Sequence, residues 1–488
     1  MKTKYLNYLV TIFFSTLLIS TFLSKSNADQ NYSVAETDEA YSGGLGTVFT
    51  ENKNSYSLPL KNLNTDNRID FFVGNSLFRR EWLPPSKINI AKDGLGPFFN
   101  ANSCVACHIN DGRGHPPTTS WPGDNAISLV VALSIPPQND TERDLLNQLR
   151  LKSIPEPNYG SQLSDFATNN VPSEGKIMIE YEYFPIAFEN GTIINLRQPK
   201  FSISNLNYGT IHSQLNISAR IAQPLIGLGL IESIKLEDIL TLEDPLDLDT
   251  DGISGKANRL INNKTGEVLI GRFGWKASQP TLLSQTIDAT YHDMGLSNTQ
   301  TSSSNNCTKI QKKCLVALNG NSKEYDNVEI SEKQLDLMVF YQQHLSPPGR
   351  RDVNHPGVLA GKKIFFNSGC NSCHVQKYKT KEIGNNEALS NQIIWPYSDF
   401  LLHDMGEGLS DNVNEYSASG SEWRTPPLWG VGLAENVNGA INLLHDGRAR
   451  SLLEAILWHG GEAKSSQEHI LKLSKLEVEQ LIKFLESL

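Results

Sequence analysis

Residues 94–114 read GLGPFFNANSCVACHINDGRG and contain the motif Cys104-Val-Ala-Cys107-His108. In a C-x-x-C-H motif the two thiols lie one helical turn apart and can form thioether bonds to a haem. The histidine that follows reaches the iron as its proximal ligand. The motif therefore predicts a covalently bound haem c.

The motif occurs a second time as Cys370-Asn-Ser-Cys373-His374. A zinc knuckle or a thioredoxin-type redox site also contains C-x-x-C. However, a zinc knuckle needs no histidine directly after each pair, and a thioredoxin-type site does not occur twice. The sequence thus predicts two haem c groups, with His108 and His374 as proximal iron ligands.

Residues 1–28 have the features of a secretory signal peptide. Lys2 and Lys4 precede an apolar run over residues 8–22, and residues 26–28 (SNA) are small enough for cleavage. The run is short for a membrane span, although an uncleaved anchor is the alternative. Because haem is attached to such motifs outside the bacterial cytoplasm, we predict a periplasmic protein with no membrane span after signal removal.

The predicted mature chain is acidic. Cleavage after Ala28 removes three lysines and no acidic residue from totals of 43 basic and 53 acidic residues, which leaves a formal charge of −13. This balance argues against nucleic acid as a partner, since a phosphate backbone requires a basic surface. It favours a small redox protein with a basic docking face, such as a cytochrome or a cupredoxin, as the electron partner.

We predict a mainly α-helical fold with two cytochrome c-like haem domains at residues 29–345 and 346–488. Alternating apolar residues within about 125–240 predict a β-rich insertion that packs on the first haem domain. The predicted strands span residues 127–135, 176–183 and 192–201, and the predicted helices residues 71–82, 335–344 and 357–366. A capping box at Ser331 predicts the start of the helix at residues 335–344, and a second one at Ser474 predicts a last amphipathic helix at the end of the chain.

Asp247, Asp249 and Asp251 alternate before a glycine. Carboxylates at i, i+2 and i+4 before a glycine turn can bind one hard cation, as at the start of an EF-hand loop. The twelfth position is Asn258 instead of a bidentate glutamate, so the sequence predicts a possible calcium site that is not an EF-hand. An ordinary acidic turn is the alternative.

Cys307 and Cys314 are left over after the two haem motifs. Their spacing suits a local loop, and in an oxidising compartment a disulfide is the simplest prediction. A metal site or a free thiol pair is the alternative.

Four longer motifs carry a family resemblance. They are GRFGWKASQPTLLSQ at residues 271–285, HDMG at 403–406, SEWRTPPLWG at 421–430 and LHDGRARSLLEAILWHGGEA at 444–463. Together with DLDTDGISG at residues 247–255, they resemble the di-haem oxidoreductase branch of the bacterial di-haem cytochrome c peroxidase superfamily, whose members are labelled peroxidase or thiol oxidoreductase. The resemblance extends from about residue 71 to the C-terminus.

The resemblance implies roles for three residues near the first haem. Trp275 corresponds to a tryptophan that relays electrons between the haems, and Gln285, ten residues later, to a glutamine of the distal pocket. Simple core packing is the alternative for Trp275. The family's peroxidases place a carboxylate shortly after this glutamine, and Asp293 is the nearest match, although it is shorter than glutamate and its spacing is not identical.

The resemblance also implies the sixth ligand of the second haem, about fourteen residues after the histidine of the HDG motif. Counting from His445 reaches His459, which predicts bis-histidine ligation by His374 and His459. A helix-end histidine bound to water or to a propionate is the alternative. Arg113 and Arg424 are predicted either to pair with haem propionates or to be solvated.

No distal ligand of the first iron can be assigned from the sequence. His212, His292 and Met294 are candidates, and an open site is equally consistent with the sequence. An open site predicts a haem-dependent oxidoreductase that reduces peroxide or oxidises a substrate at the first haem. Two six-coordinate irons would instead predict a non-catalytic electron carrier. Thiol oxidation rests on the family label alone.

Overall fold

The computed structural model describes residues 34–86, 88–117, 128–168, 170–303 and 306–488. The predicted signal peptide at residues 1–28 lies outside these ranges. Among the residues described, no helix is both long enough and apolar enough to cross a membrane.

The α-helices of the described residues are numbered in chain order. They are α1 Thr65–Phe78, α2 Cys104–Cys107, α3 Asp140–Asn147, α4 Leu228–Glu232, α5 Leu236–Leu240, α6 Leu282–Met294, α7 Lys312–Leu315, α8 Glu332–Gln343, α9 Pro356–Asn367, α10 Ala434–Asn438, α11 Leu452–Leu457, α12 Lys464–Ile470 and α13 Lys475–Ser487. Both predicted capping boxes are confirmed, because Ser331 and Ser474 each accept a hydrogen bond from the third residue of α8 and of α13. The predicted helix at residues 71–82 lies earlier in the chain, as α1.

The strands are numbered in the same way. They are β1 Phe98–Phe99, β2 Leu129–Ser134, β3 Gln162–Leu163, β4 Phe166–Ala167, β5 Lys176–Ala187, β6 Ile193–Ser204, β7 Asn216–Ile221, β8 Arg259–Ile261, β9 Val268–Ile270, β10 Tyr378–Lys379, β11 Ile393–Ile394, β12 Leu402–Asp404 and β13 Glu422–Arg424. They form the antiparallel sheets β3–β2–β7, β1–β4, β5–β6, β8–β9, β10–β11 and β12–β13.

The predicted mainly α-helical fold is wrong, because helices contain only 29% of the residues described and strands contain 18%. Both predicted domains contain strand pairs, and much of the chain is irregular. Each haem motif forms only a short turn, α2 in the first and the 3-10 turn Cys370–Ser372 in the second. Buried cationic side chains stabilise the irregular segments: Lys276 donates to the carbonyl groups of Ser419, Gly420 and Glu422. Such long-range contacts replace helical hydrogen bonds and leave no periodic signal in the sequence.

The largest hydrophobic core contains buried residues from both predicted domains. It combines buried residues of β2, such as Val131, with buried residues of α9 and α13, such as Phe365 and Phe484. These residues lie on both sides of the predicted boundary at residue 346. A single core of this kind couples the stability of the two parts of the chain.

The long β5–β6 hairpin packs on the C-terminal part as well as on the neighbouring sheet. The ring of Phe184 contacts that of Trp458 edge to face, with centroids 5.4 Å apart. Arg197 donates to the carbonyl groups of Gly447 and Arg448 at 3.0 and 2.9 Å. The β-rich region therefore bridges the two haem motifs instead of packing on the first alone.

The predicted disulfide is present, since Cys307 and Cys314 are bonded to each other. Gln311, inside this loop, donates from Nε2 to Glu174 at 2.6 Å. The loop is thereby attached to the β-rich region.

Candidate functional site

The first haem motif presents its side chains to one cavity. The turn α2 carries Cys104 and Cys107, and neither thiol is in a disulfide. His108 Nδ1 lies 2.8 Å from the Gln223 carbonyl oxygen, so this nitrogen donates and Nε2 keeps its lone pair. Burial lowers the pKa of His108 to about 4, so the ring is neutral near pH 7, as a metal ligand must be.

A cavity of about 290 Å³ lies in front of this motif. One of its walls is the face of α6, which presents Gln285, Asp288, Ala289, His292 and Asp293. These residues recur at intervals of three and four, as expected for one side of a helix. The predicted distal residues Gln285 and Asp293 therefore both border this cavity.

The second haem motif borders a separate cavity of about 180 Å³. Cys370 and Cys373 are free thiols, and His374 Nδ1 lies 2.9 Å from the Tyr397 carbonyl oxygen. Burial lowers the pKa of His374 to about 4. This motif therefore also offers two thiols and a neutral imidazole with a free Nε2.

The predicted sixth ligand His459 borders the same second cavity. Its Nδ1 lies 2.7 Å from the Ala455 carbonyl oxygen, one turn back along α11, which leaves Nε2 free. Burial lowers the pKa of His459, and a charge on this ring would further lower that of His374. The structure thus brings the two predicted ligands of the second iron together.

Trp275 lies between the two cavities and borders both. Its side chain is buried, and Nε1 donates to the Ile221 carbonyl oxygen at 2.9 Å. A tight turn precedes it, in which Gly274 has a φ of 81° that other residues seldom adopt. At Gly271 a Cβ would lie only 1.6 Å from the Ala277 carbonyl oxygen. The glycines of the GRFGW motif thus fix the position of the tryptophan.

Arg113 and Arg424 also border both cavities. Both are buried, with 9% and 5% of the residue exposed, so neither is a solvated loop residue. Arg424 donates to the Gly274 carbonyl and to Gln223 Oε1, each at 3.0 Å. In contrast, Arg113 Nη1 and Gln223 Nε2 are buried without a hydrogen-bond partner. Among the residues described, these two donors can accommodate an anionic group of a cofactor.

The two carboxylates on α6 differ in their surroundings. Asp293 Oδ1 accepts a hydrogen bond from Gln162 Nε2 at 2.8 Å, and burial raises its pKa to about 6. Asp288 instead lies 3.9 Å from Lys152 Nζ and 3.5 Å from His292 Nε2. Sequence reasoning missed Asp288, although its position three residues after Gln285 places it on the same face of the helix.

Of the three candidate distal ligands, two are near the first cavity. His292 and Met294 border it, whereas His212 does not. The backbone N–H of His212 donates to Glu156, and its Nδ1 accepts a hydrogen bond from the Gln214 backbone. His212 therefore belongs to the β-rich region.

His403, from the HDMG motif, is a second-cavity residue that sequence reasoning did not assign. Its two ring nitrogens each lie 2.7 Å from a carboxylate, that of Asp399 and that of Glu462. Burial opposes a charge on this ring, but the carboxylates raise its pKa well above the usual range. A buried positive charge therefore stands beside the second haem motif.

The acidic loop brings together a different set of carboxylates from the predicted one. The structure brings Asp244, Asp247 and Asp249 within reach of one cation, whereas Asp251 accepts a hydrogen bond from the Ile253 backbone. Sequence reasoning missed Asp244, which lies five residues before Asp249. Calcium binding at this loop stays a prediction.

These features fit two haem groups. Each cavity is bordered by two cysteines that are not in a disulfide and by a neutral imidazole with an unused nitrogen, and Arg113, with its unpartnered Nη1, borders both cavities. Each cavity therefore has side chains that could hold a haem group.

The comparisons with known proteins agree with this arrangement. The model of the family described as "Di-haem oxidoreductase, putative peroxidase" matches residues 36–488. No curated protein matches the chain significantly. Because the family match covers nearly the whole described sequence, the chain belongs to the di-haem oxidoreductase family.

Proposed function

We propose that this protein is an exported di-haem c-type oxidoreductase that reduces peroxide at the site of its N-terminal haem motif. Hydrogen peroxide takes up two electrons and two protons and yields two molecules of water. A small redox protein supplies the electrons one at a time through the C-terminal site. The signal-like residues 1–28 and the oxidised cysteine pair support a periplasmic location.

The cysteines and proximal histidines described above hold the two haems. Cys104, Cys107 and His108 hold the first, and Cys370, Cys373 and His374 hold the second. Haem iron supplies one-electron redox chemistry at each site and, where a coordination position is open, a place for a small ligand to bind. Arg113 and Gln223 offer unpartnered N–H donors to the propionates.

The observation that carries the proposal is the difference between the two cavities. In the second cavity, His459 would provide a second imidazole ligand in addition to His374. Two protein ligands on one iron favour an electron-transfer site. The wall α6 of the first cavity contributes instead two carboxylates, an amide and the small residue Ala289. Polar groups that can move protons are needed where peroxide reacts, not where electrons are only stored.

Trp275 supports electron transfer between the sites. Its indole borders both cavities, and an aromatic ring of low ionisation energy between two redox centres can serve as a hopping station. Arg424 and Arg113 enclose it on the wall that both cavities share. The chain thus provides a direct path from the electron-accepting site to the catalytic one.

The presence of His292 and Met294 at the first cavity favours the competing function, that of an electron carrier. Either side chain at the sixth position would close the site to peroxide. In that case both sites would transfer electrons and neither would catalyse turnover.

Low-temperature EPR of the purified ferric protein, repeated after one electron equivalent, distinguishes the two functions. A high-spin signal, present at once or after half-reduction, is expected for the peroxidase. Two low-spin signals that only lose intensity on reduction would contradict it and support the carrier. Carbon monoxide binding to the reduced protein checks the same point, because an iron with two strong axial ligands does not bind it.

A further inference from the structure

Two carboxylates, Asp288 and Asp293, border the N-terminal cavity from the same helix. Either one could move protons for a bound peroxide. The course of α6 across the cavity distinguishes them, because the N-terminal end of the helix lies near Trp275 and its C-terminal end lies near the cysteines of the first haem motif.

The N-terminal end of α6 lies near Trp275. A Cβ at Gly274, the residue before this tryptophan, would lie 3.4 Å from Gln285 Oε1. Gln285 therefore marks the end of the cavity that faces the second haem motif.

The C-terminal end of α6 lies near the haem-attachment cysteines. Burial raises the pKa values of the Cys104 and Cys107 thiols, and the charge of Asp293 raises both further. The carbonyl oxygen of Asp293 also accepts the Asn100 N–H at 2.7 Å. Asp293 thus belongs to the edge of the cavity where the thiols lie.

The length of the helix separates the two predicted distal residues. Asp293 follows Gln285 by eight positions, which corresponds to about 12 Å along the helix axis. One peroxide molecule is too small for both side chains to contact it. Asp288 is about 4.5 Å along the axis from Gln285 and on the same face, so these two can share one small ligand.

The middle of this face combines space with polar groups. Ala289 has only a methyl group, which leaves room beside Asp288. His292 Nδ1 is a buried atom of the cavity wall that lacks a hydrogen-bond partner. The Glu415 carboxylate, only 1% exposed, borders the same cavity. An unsatisfied group of this kind indicates a site for a small polar ligand.

Charges on neighbouring elements hold the carboxylate of Asp288. Lys152 Nζ lies 3.9 Å from Asp288 and 3.6 Å from Glu415. Arg220 pairs with the other side of Glu415. The Asp288 and Lys152 side chains are only partly buried, with 31% and 36% exposed, and both border the cavity.

We infer that Asp288, and not Asp293, is the proton-transfer residue of the N-terminal site, with Lys152 and Glu415 as positioning residues. The inference rests on the proposed function of that site. The Asp288 carboxylate takes a proton from one oxygen of bound hydrogen peroxide and returns it to the other, so this transfer consumes no net proton. The two electrons that break the O–O bond come from the redox partner, and the two protons that complete both waters come from solvent.

Cyanide association tests this role without peroxide turnover. Hydrogen cyanide must lose its proton to bind as the anion, so a nearby base accelerates its association. Stopped-flow spectroscopy of the haem-loaded protein, ferric and half-reduced, gives the rate. Asp288→Asn is expected to lower the association rate and the peroxide kcat/KM by about 100-fold, the usual scale of general acid–base catalysis.

Three further variants make the result specific. Asp293→Asn is expected to lower the cyanide rate by much less than Asp288→Asn, and Asp288→Glu, which keeps a carboxylate, to retain most of it. Asp336→Asn, at an exposed position of α8, is the matched control. Absorption spectra and the melting temperature show whether each variant has folded and holds both haems.

The outcomes separate the inference from the proposed function. Equal losses in Asp288→Asn and Asp293→Asn, or the larger loss in Asp293→Asn, would overturn the assignment of Asp288. A rate in Asp288→Glu about 100-fold below that of the wild type would overturn it as well, and this comparison remains decisive if the asparagine variant does not fold. A wild-type protein that binds no cyanide in either redox state would overturn the proposed function, and the inference with it.

Discussion

At the scale of single residues, two tryptophans border the C-terminal cavity, and their surroundings differ. Lys276 Nζ lies 4.1 Å from the ring centroid of Trp423, which also stacks on His445 at 3.9 Å. Arg113 lies farther from the Trp275 ring, with its guanidinium carbon 6.0 Å from the centroid. A positive charge over an aromatic ring opposes removal of an electron from it. The electrostatic surroundings therefore favour Trp275 over Trp423 for the proposed relay.

Replacing Trp275 tests the relay. Trp275→Phe keeps an aromatic ring in the core but raises its ionisation energy, so electron transfer between the haems should slow by about tenfold or more, equivalent to roughly 1.4 kcal/mol of barrier. Rapid-mixing reduction, followed at both haem spectra, measures the rate. Trp82→Phe, a buried substitution away from both cavities, is the matched control. Unchanged transfer in Trp275→Phe would remove the relay role.

The ligand at residue 459 is a second residue-scale prediction. His459→Met replaces an imidazole with a thioether, which favours reduced iron, so the reduction potential of the C-terminal haem should rise by tens of millivolts or more, within the range of about 0.8 V that axial ligands span. A spectroelectrochemical titration measures it, and the N-terminal haem is the internal reference. No change in the potential would mean that His459 does not bind the iron.

At the scale of elements, the sequence predicts what depends on local patterns. The capping boxes at Ser331 and Ser474 are purely local, and the structure confirms them. The cysteine motifs and the spacing of Trp275 to Gln285 are also local. Asp288 could have been found from helical periodicity, since it lies on the same face as Gln285.

The rest of the site could not be predicted, because it depends on contacts between distant segments. Lys276 meets carbonyl groups more than 140 residues away in sequence. Lys152 joins Asp288 to Glu415, three residues from three separate segments. The fold-class error has the same origin, since irregular segments stabilised by such contacts leave no helical or strand pattern.

Glu174 provides an element-scale prediction of pH dependence. It connects β5 to the disulfide loop, and burial raises its pKa from 4.5 to about 8. The folded protein keeps this proton while the unfolded chain releases it above pH 4.5. This contribution to stability is therefore complete below pH 4.5 and is lost as the pH rises to about 8, by roughly 5 kcal/mol.

The variant Glu174→Gln cannot ionise, so its melting temperature should fall less than that of the wild type between pH 5 and pH 8.5. Parallel thermal unfolding of the two proteins at the two pH values measures the difference. The contributions of the other titrating groups cancel when the variant is compared with the wild type. Equal changes in both proteins would show that Glu174 does not hold its proton in the folded state.

At the scale of the whole molecule, the β5–β6 hairpin connects the first part of the chain to the segment that carries His459, the predicted ligand of the second haem. The backbone N–H of Glu189 and the side chain of Asn190 donate to the carbonyl groups of Leu471 and Leu473. The ring of Phe184 meets Trp458, the residue before His459. The geometry at the C-terminal site therefore depends on residues that precede the predicted domain boundary.

Phe184→Ala tests this dependence between the two parts. The change removes the ring that supports Trp458, so we expect a loss of about 1–3 kcal/mol in stability. We also expect partial loss of the low-spin EPR signal of the C-terminal haem, because His459 is held less firmly. The N-terminal haem signal should not change. Ile193→Ala, on the same hairpin but 62% exposed, is the control and should affect neither. If Phe184→Ala altered the N-terminal signal instead, the hairpin would support the first haem site, as the sequence pattern alone suggested.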